Sequence, residues 1–175
     1  FKQILEERCG CASYLVASRQ SHEAAIVDPS NETEQYETLL RERNFRLRYV
    51  IDPHVHADHV SGARQLQAKH GAELCLHEAA RVAYPSRPLK DGDELPLGQM
   101  RLRVLHTPGH RPELISILIV NPPRSPEPSM VLTGDSLLVG DTRRIAGWVN
   151  SQKLHSVRKI SLQERAVVGP DIDSE

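Results

Sequence analysis

Cysteine is scarce in this chain. The three cysteines are Cys9, Cys11 and Cys75, an odd number that contains no C-x-x-C pair. Small secreted domains that depend on disulfides carry even, regularly spaced cysteines. The sequence therefore argues against a disulfide framework. We expect a reducing compartment, either a bacterial cytoplasm or a mitochondrial matrix.

The chain also lacks an excess of positive charge and a long apolar run. Its 22 Lys and Arg residues nearly balance 23 Asp and Glu residues, for a net charge of -1. Nucleic-acid binding is normally marked by a basic surface, so DNA and RNA are not expected partners. No run approaches the roughly 18 apolar residues that a membrane span needs, and no charged-then-apolar signal segment opens the chain. We therefore expect a soluble protein with no membrane partner.

The composition is sufficient for one hydrophobic core. The chain has 175 residues, of which 39% are hydrophobic. A chain of this length fits one domain better than two. We expect a single domain that spans residues 1–175.

A dense group of metal-ligand residues follows the apolar run at residues 49–51. Residues 54–59 read His-Val-His-Ala-Asp-His, which places His54, His56, Asp58 and His59 within six positions. A strand that ends at Ile51 would deliver His54 and His56 on one side of the chain. Imidazole and carboxylate together suit zinc, iron or manganese. This stretch predicts a metal site on a loop.

Two further motifs offer ligands at strand ends. Residues 107–110 read Thr-Pro-Gly-His after a predicted strand, and the Pro-Gly pair forces a tight turn that holds His110 at the strand end. Residues 133–135 read Thr-Gly-Asp, which offers the carboxylate of Asp135 at the end of another apolar segment. His110 and Asp135 are therefore candidate ligands.

Short apolar segments alternate with polar ones, which favours an α/β fold. Asn31 and Glu34 predict a capping box for a helix that ends near Asn44, and Gly71 predicts the stop of a second helix. The run 114–120 predicts a buried strand. The Pro-rich stretch 121–129 predicts a connector without regular structure. The other predicted strands cover residues 12–17, 24–27, 46–51, 72–76, 94–98, 100–106, 130–135 and 166–168. The other predicted helical segments cover residues 60–70, 77–83 and 154–162.

The three motifs, in this order and at this spacing, resemble the metal motifs of the metallo-β-lactamase superfamily. Within it the chain is most similar to the persulfide dioxygenase branch, through residues 11–16, 88–93, 107–113 and 132–141. The resemblance implies an αββα sandwich, in which two mixed β-sheets lie face to face with helices outside. The metal would lie at one edge of the sheets.

The resemblance also implies a ligand set and a reaction. The family's iron ligands correspond to His54, His110 and Asp135, with His56 beside them. One Fe(II) per chain in such a facial triad leaves positions for a thiolate sulfur and O2. The implied reaction oxidises glutathione persulfide, or a related low-molecular-weight persulfide, with O2 to sulfite and thiol.

A zinc-dependent thioester hydrolase of the glyoxalase II type is the main alternative. Asp58 and His59 would then line the second Zn(II) position, with Asp58 as the catalytic carboxylate that orients the attacking water or accepts its proton. Dinuclear relatives carry a further histidine where Ile172 stands here, so a complete second site would need Asp171 or Asp173 as a substitute. That departure also motivates a third hypothesis, a catalytically degenerate metal-binding member of the fold.

Arg143 and Arg144 are candidate substrate-binding residues. Their guanidinium groups could bind the carboxylates of a glutathione-like tripeptide, and a solvated turn is the alternative interpretation. Relatives often form homodimers and are linked to rhodanese-type sulfurtransferases. The resemblance therefore implies both kinds of partner.

Overall fold

The computed structural model describes residues 1–6 and 11–136. Its helices are α1 (Glu34–Glu42) and α2 (Ala63–His70), and a 3-10 turn covers Gly134–Ser136. Its strands are β1 (Lys2–Glu6), β2 (Cys11–Ser18), β3 (Glu23–Val27), β4 (Arg46–Ile51), β5 (Glu73–His77), β6 (Arg87–Leu89), β7 (Glu94–Leu97), β8 (Met100–His106), β9 (Ile115–Val120) and β10 (Pro128–Leu132). The predicted helix 154–162 and strand 166–168 lie outside the described residues.

The strands form two sheets. The first has the order β1-β2-β3-β4-β5-β6 and is mixed, since β1, β2 and β3 pair antiparallel whereas β3, β4, β5 and β6 pair parallel. The second has the order β10-β9-β8-β7 and is antiparallel. The strands predicted at 12–17 and 24–27 are confirmed as the antiparallel pair β2 and β3, and those predicted at 94–98 and 100–106 as the antiparallel pair β7 and β8. Within the described ranges, no helix has the length and apolarity needed to cross a membrane.

The two sheets pack face to face. Alternate side chains on a strand point to opposite faces, and β2 illustrates this alternation because Val16 belongs to the core between the sheets while Leu15 belongs to the core under the helices. Tyr36 of α1 and Leu66 of α2 lie fully buried in that second core. The structure therefore confirms the sandwich, with α1 and α2 on the outer face of the first sheet. The expectation of two mixed sheets is wrong for the second, because all of its strand pairs are antiparallel.

Some local predictions are confirmed and others are wrong. Gly71 ends α2 in the left-handed conformation at φ 64°, as predicted. The capping box is wrong, because α1 begins after Thr33 with no side-chain cap, and the Asn31 Oδ1 atom accepts a hydrogen bond from Gln65 Nε2 at 2.6 Å instead. The connector prediction holds only to Glu127, since β10 begins at Pro128.

The prediction of a helical turn or two at 77–83 is confirmed only for one turn, in which the Ala80 N–H donates to the His77 carbonyl oxygen at 2.8 Å. Ala80, Val82 and Tyr84 all pack against the core under the helices. This spacing of two residues is typical of extended chain, whereas a helix would repeat every 3.6 residues. The sequence pattern also did not predict the short edge strands β1 and β6.

A close backbone contact joins the segment after β3 to the start of α2. The Gly62 N–H donates to the Pro29 carbonyl oxygen at 3.0 Å. A Cβ atom at position 62 would lie 2.2 Å from the Ser30 carbonyl oxygen, a distance that backbone cannot tolerate. Glycine is therefore required there, and it holds the loop that follows Val27 against the loop that follows Ile51.

Gly62→Ala should lower the free energy of unfolding by about 1–3 kcal/mol, because the added methyl group forces the two loops apart. Chemical denaturation followed by circular dichroism measures this change. A variant with wild-type stability would contradict the close contact.

A stacked pair of histidines connects the two sheets. The rings of His77 at the end of β5 and His106 at the end of β8 have centroids 3.9 Å apart and an interplanar angle of 13°. His77 is buried, and its Nδ1 atom accepts the Ala79 N–H at 3.2 Å. Burial, and next the neighbouring His106, lower the pKa of His77 below its ordinary 6.5.

This pair predicts a pH dependence of stability. Below pH 6.5 the unfolded chain takes up a proton at His77 that the folded chain resists, so stability should fall as pH falls below that value. Denaturation of the wild type and of His77→Gln between pH 5 and 8 tests this expectation. The variant should lose stability less steeply toward low pH, and parallel profiles would refute the assignment.

Candidate metal centre

The parallel strands of the first sheet deliver two carboxylates to one edge. Val27 and Ile51 lie in register, so Asp28 and Asp52 follow neighbouring strand ends, and the Asp28 N–H donates to the Ile51 carbonyl oxygen at 2.8 Å. Asp52 is buried, and its carboxylate accepts a hydrogen bond from Ser61 Oγ at 2.8 Å. Burial raises the pKa of Asp52 to about 7.

The second sheet contributes to the same edge. The Ile115 N–H at the start of β9 donates to the Pro53 carbonyl oxygen at 2.9 Å, which ties the second sheet to the loop after β4. Gly134 has φ 49°, and a Cβ atom there would lie 3.1 Å from Pro53 Cβ. These contacts bring the loop at residues 107–110 and the turn with Asp135 beside His54.

His54, His110 and Asp135 form one group of ligand atoms, all within 4.8 Å of one another. The Asp135 Oδ2 atom lies 3.4 Å from His110 Nε2 and 3.9 Å from His54 Nε2. Burial, and next the neighbouring His56, lower the pKa of His54, which favours its neutral form. Neutral imidazole is the form that binds metal, so this group could hold an ion.

Asp28, His56 and His59 form a second group, whose ligand atoms also lie within 4.8 Å of one another. The Asp28 Oδ1 and His56 Nε2 atoms are 2.7 Å apart, and the rings of His56 and His59 have centroids 4.1 Å apart. Burial opposes protonation of His56, but the Asp28 carboxylate outweighs it and raises the pKa of His56. Sequence reasoning missed Asp28, although it follows a strand end just as Asp135 does.

The other predicted site residues are placed differently. Asp58 belongs to neither group of ligand atoms among the described residues. Its side chain is 82% exposed, and its Oδ1 atom lies 3.1 Å from His59 Nδ1. Its role as ligand or catalytic carboxylate stays a prediction. Arg143, Arg144 and Ile172 lie outside the described residues.

A network of hydroxyl groups fixes His110 relative to Asp135. Thr107 Oγ1 lies 3.0 Å from the hydroxyl of the fully buried Ser116 and 3.1 Å from Ser136 Oγ, which donates to it. Ser116 Oγ also donates to the Thr133 carbonyl oxygen at 3.4 Å. The network therefore links the loop before His110, strand β9 and the turn that carries Asp135.

Glu113 links the two histidine loops. Its buried carboxylate accepts the Val55 N–H at 3.2 Å and the Arg111 Nε–H at 3.3 Å. Burial alone would raise the pKa of Glu113, but hydrogen bonds from its own backbone N–H, from Val55 and from Arg111 lower it. The ionised carboxylate thus holds the backbone between His54 and His56 against the segment after His110.

Ser116→Ala should lower the free energy of unfolding by about 1–3 kcal/mol, because it removes a buried partner of Thr107. It should also weaken metal binding, since the Thr107 hydroxyl and the Thr133 carbonyl oxygen lose the hydroxyl group that links them. Denaturation and metal titration of the purified chain measure both effects. Ser129→Ala is the matched control, because the exposed Ser129 hydroxyl only donates to the Ile119 carbonyl oxygen at 3.2 Å in the same sheet. Equal losses in the two variants would contradict this role for the network.

Known proteins with related sequences are named as enzymes of two kinds, a dioxygenase and a hydrolase. The chain is 30% identical over 139 residues to the mitochondrial persulfide dioxygenase ETHE1 of Bos taurus, a match that covers 79% of this chain and 52% of that protein. It is 33% identical over 127 residues to the hydroxyacylglutathione hydrolase of Brucella anthropi, with coverage of 71% and 43%. The chain thus spans about half the length of the curated relatives it matches.

Solved structures and a family model agree with the fold. A metallo-beta-lactamase from Staphylococcus aureus superposes with a TM-score of 0.78 at 28% identity, covering 91% of this chain and 51% of that one. ETHE1 from Myxococcus xanthus gives a TM-score of 0.74 at 28% identity, with coverage of 98% and 71%. The model of the metallo-beta-lactamase superfamily matches residues 7–170. With the sandwich fold and a match over nearly its whole length, the chain belongs to the metallo-beta-lactamase superfamily.

Proposed function

We propose that this chain is a persulfide dioxygenase domain that holds one Fe(II) between His54, His110 and Asp135. Its substrate would be glutathione persulfide or a related low-molecular-weight persulfide. The balanced reaction consumes one persulfide, one O2 and one water, and yields thiol, sulfite and two protons. The sulfane sulfur loses four electrons, and O2 accepts them. The single observation that carries the proposal is the group of two imidazoles and one carboxylate at the sheet edge.

The donor set fits a first-row divalent metal. Two neutral imidazoles and one carboxylate form the triad typical of non-haem iron sites that keep open positions for substrate and O2. His54 is 4% exposed and anchors the buried side of the group, whereas His110 and Asp135 are partly exposed. The group is therefore accessible from the side of His110 and Asp135, where a small thiol compound could enter.

When bound, Fe(II) supplies adjacent positions for a thiolate sulfur and O2, together with the redox chemistry that O2 activation requires. The protein supplies the geometry. The hydroxyl network of Thr107, Ser116 and Ser136 fixes His110 relative to Asp135, and Glu113 holds the backbone beside His54. Rigid support of this kind keeps the ligands within the narrow range of positions that catalysis needs.

A zinc-dependent thioester hydrolase is the second candidate function. One observation favours it, the neighbouring group of Asp28, His56 and His59, because two metals side by side can activate water and polarise a carbonyl. The relative named hydroxyacylglutathione hydrolase supports the same reading. Metal content therefore distinguishes the two functions.

The dioxygenase proposal predicts about one iron per chain in protein purified without added metal, and O2 uptake when glutathione persulfide is added. His110→Ala should lose both the iron and the O2 uptake, because one of the two imidazole ligands is removed. Elemental mass spectrometry and an oxygen electrode measure these quantities. His22→Ala is the matched control, since His22 is an exposed histidine that contacts the Asn44 carbonyl oxygen.

Iron-loaded chain that consumes no O2 with this substrate would refute the dioxygenase proposal. Two zinc ions per chain with hydrolysis of a glutathione thioester would establish the second candidate instead. Retention of iron and activity by His110→Ala would show that the ligand group is assigned incorrectly.

A further inference from the structure

One arginine lies directly beside the proposed iron group. Arg111 follows the ligand His110 in the loop between β8 and β9, and its side chain is 41% exposed. We propose that Arg111 is a substrate-binding residue, whose guanidinium group holds the glycine carboxylate of a glutathione-type substrate. This inference rests on the proposed function for one point only, the glutathione-type substrate, which the dioxygenase and the thioester hydrolase share.

The buried carboxylate of Glu113 orients the guanidinium group of Arg111. The Arg111 Nε–H donates to Glu113 Oε1 at 3.3 Å, and the Glu113 side chain is only 7% exposed. A guanidinium group is planar and carries five N–H donors in a fixed arrangement. The contact through Nε leaves the edge formed by the two Nη atoms without a hydrogen-bond or ion-pair partner among residues 1–6 and 11–136. Such an edge binds a carboxylate through two parallel hydrogen bonds.

The same Glu113 oxygen connects Arg111 to the loop that carries His54. The Val55 N–H also donates to Glu113 Oε1, at 3.2 Å, and Val55 lies between His54 and His56 in the sequence. The guanidinium group is therefore held close to the backbone of the histidine loop. An extended residue spans about 3.3–3.6 Å, so a tripeptide with its sulfur at the metal group can place a terminal carboxylate on Arg111.

Hydrogen bonds to the backbone fix the loop around Arg111. The Arg111 carbonyl oxygen accepts the N–H groups of Gly109 and Leu114, both at 3.2 Å. The His106 Nε2 atom lies 2.8 Å from the Pro112 carbonyl oxygen, to which it donates when the ring proton is on Nε2. A charged group on a fixed loop loses little conformational freedom when it binds a ligand. The loop is therefore preorganised to bind an anion.

The chemistry of the substrate indicates which carboxylate is bound. Glutathione has two carboxylates, and the γ-glutamyl one adjoins an ammonium group that would repel a guanidinium group. The glycine carboxylate has no cation beside it. The carboxylates of Asp135 and Asp58 are 34% and 82% exposed, and both would repel the glycine carboxylate if it lacked a cationic partner. Arg111 supplies that partner, since a guanidinium group stays charged at every physiological pH.

Calorimetry with S-methylglutathione, on the chain purified with its metal, tests the proposal. This compound has both carboxylates of glutathione but no thiol, so binding is measured without turnover. Its glycine ethyl ester lacks the proposed anchor. The wild type should bind the ester about tenfold more weakly than the acid, because the ester forfeits the charge-assisted hydrogen bonds to Arg111.

Two variants of Arg111 locate the effect. Arg111→Gln should bind the acid about tenfold more weakly than the wild type does, and should no longer distinguish the acid from the ester. Arg111→Lys keeps the charge but lacks the planar pair of donors, so its affinity for the acid should lie between those two values.

Arg124→Gln is the matched control. Arg124 is an exposed arginine in the connector after Val120, so it lies beyond the end of β9 that is opposite to the metal group. The variant removes the same charge from the chain. It should bind the acid and the ester as the wild type does.

Turnover separates anchoring of the substrate from a general disturbance of the loop. With glutathione persulfide, Arg111→Gln should raise KM about tenfold and leave kcat nearly unchanged, because the lost contact is the same in the ground state and the transition state. With mercaptoethanol persulfide, which has no carboxylate, the variant should match the wild type. A disturbed loop would instead lower kcat for both substrates.

Three binding results would overturn the proposal. The first is a wild type that binds neither compound, and the second is a wild type that binds the acid and the ester equally. The third is an Arg111→Gln chain that still prefers the acid as the wild type does, which would mean that another residue holds the carboxylate. The wild-type comparison needs no variant, so it is decisive even when Arg111→Gln does not fold. A preference for the acid that depends on Arg111, in a chain without O2 uptake, would refute the dioxygenase and support this inference.

Discussion

The hydrogen bond from the Ile115 N–H to the Pro53 carbonyl oxygen is 2.9 Å long. It determines the geometry of the ligand edge, the edge of the two sheets that carries His54, His110 and Asp135. It joins the first residue of β9 to the residue before His54. The positions of ligands from the two sheets are therefore fixed relative to each other. Gly134 completes the junction, because its φ of 49° strains other residues and an added Cβ atom would lie only 3.1 Å from Pro53 Cβ. His54 from one sheet and Asp135 from the other are therefore brought together by backbone contacts, with Asp135 Oδ2 3.9 Å from His54 Nε2.

The ligand edge is also where the fold tolerates unfavourable burial. Four buried side-chain atoms lack a hydrogen-bond partner within the described part of the chain, and three of them are Asp28 Oδ1, His54 Nδ1 and His56 Nε2. Leaving such atoms unpaired costs stability in a purely structural core. Their concentration at one edge is typical of a functional site, where local cost is offset by packing elsewhere. The continuous apolar core between the sheets provides that packing.

The sequence predicts ligands that lie close together along the chain better than ligands that strand pairing brings together. His54, His56 and His59 are recognisable because they are close along the chain, and His110 and Asp135 because a turn motif follows an apolar run. Asp28 was missed because its nearness to His56 depends on the parallel register of β3 and β4. Asn31 was misassigned as a helix cap for a similar reason, since its partner Gln65 lies on the other helix. In both cases the position of the side chain depends on a contact between segments that are distant in the sequence.

The two ligand groups have the same composition, two imidazoles and one carboxylate, but they differ in exposure. The Asp135 carboxylate is 34% exposed, whereas that of Asp28 is 14% exposed. Solvent therefore reaches the first group at His110 and Asp135, and the second at His59, whose side chain is 25% exposed. The number of ions, rather than a change of fold, would then decide between oxidation of a persulfide and hydrolysis of a thioester on this scaffold.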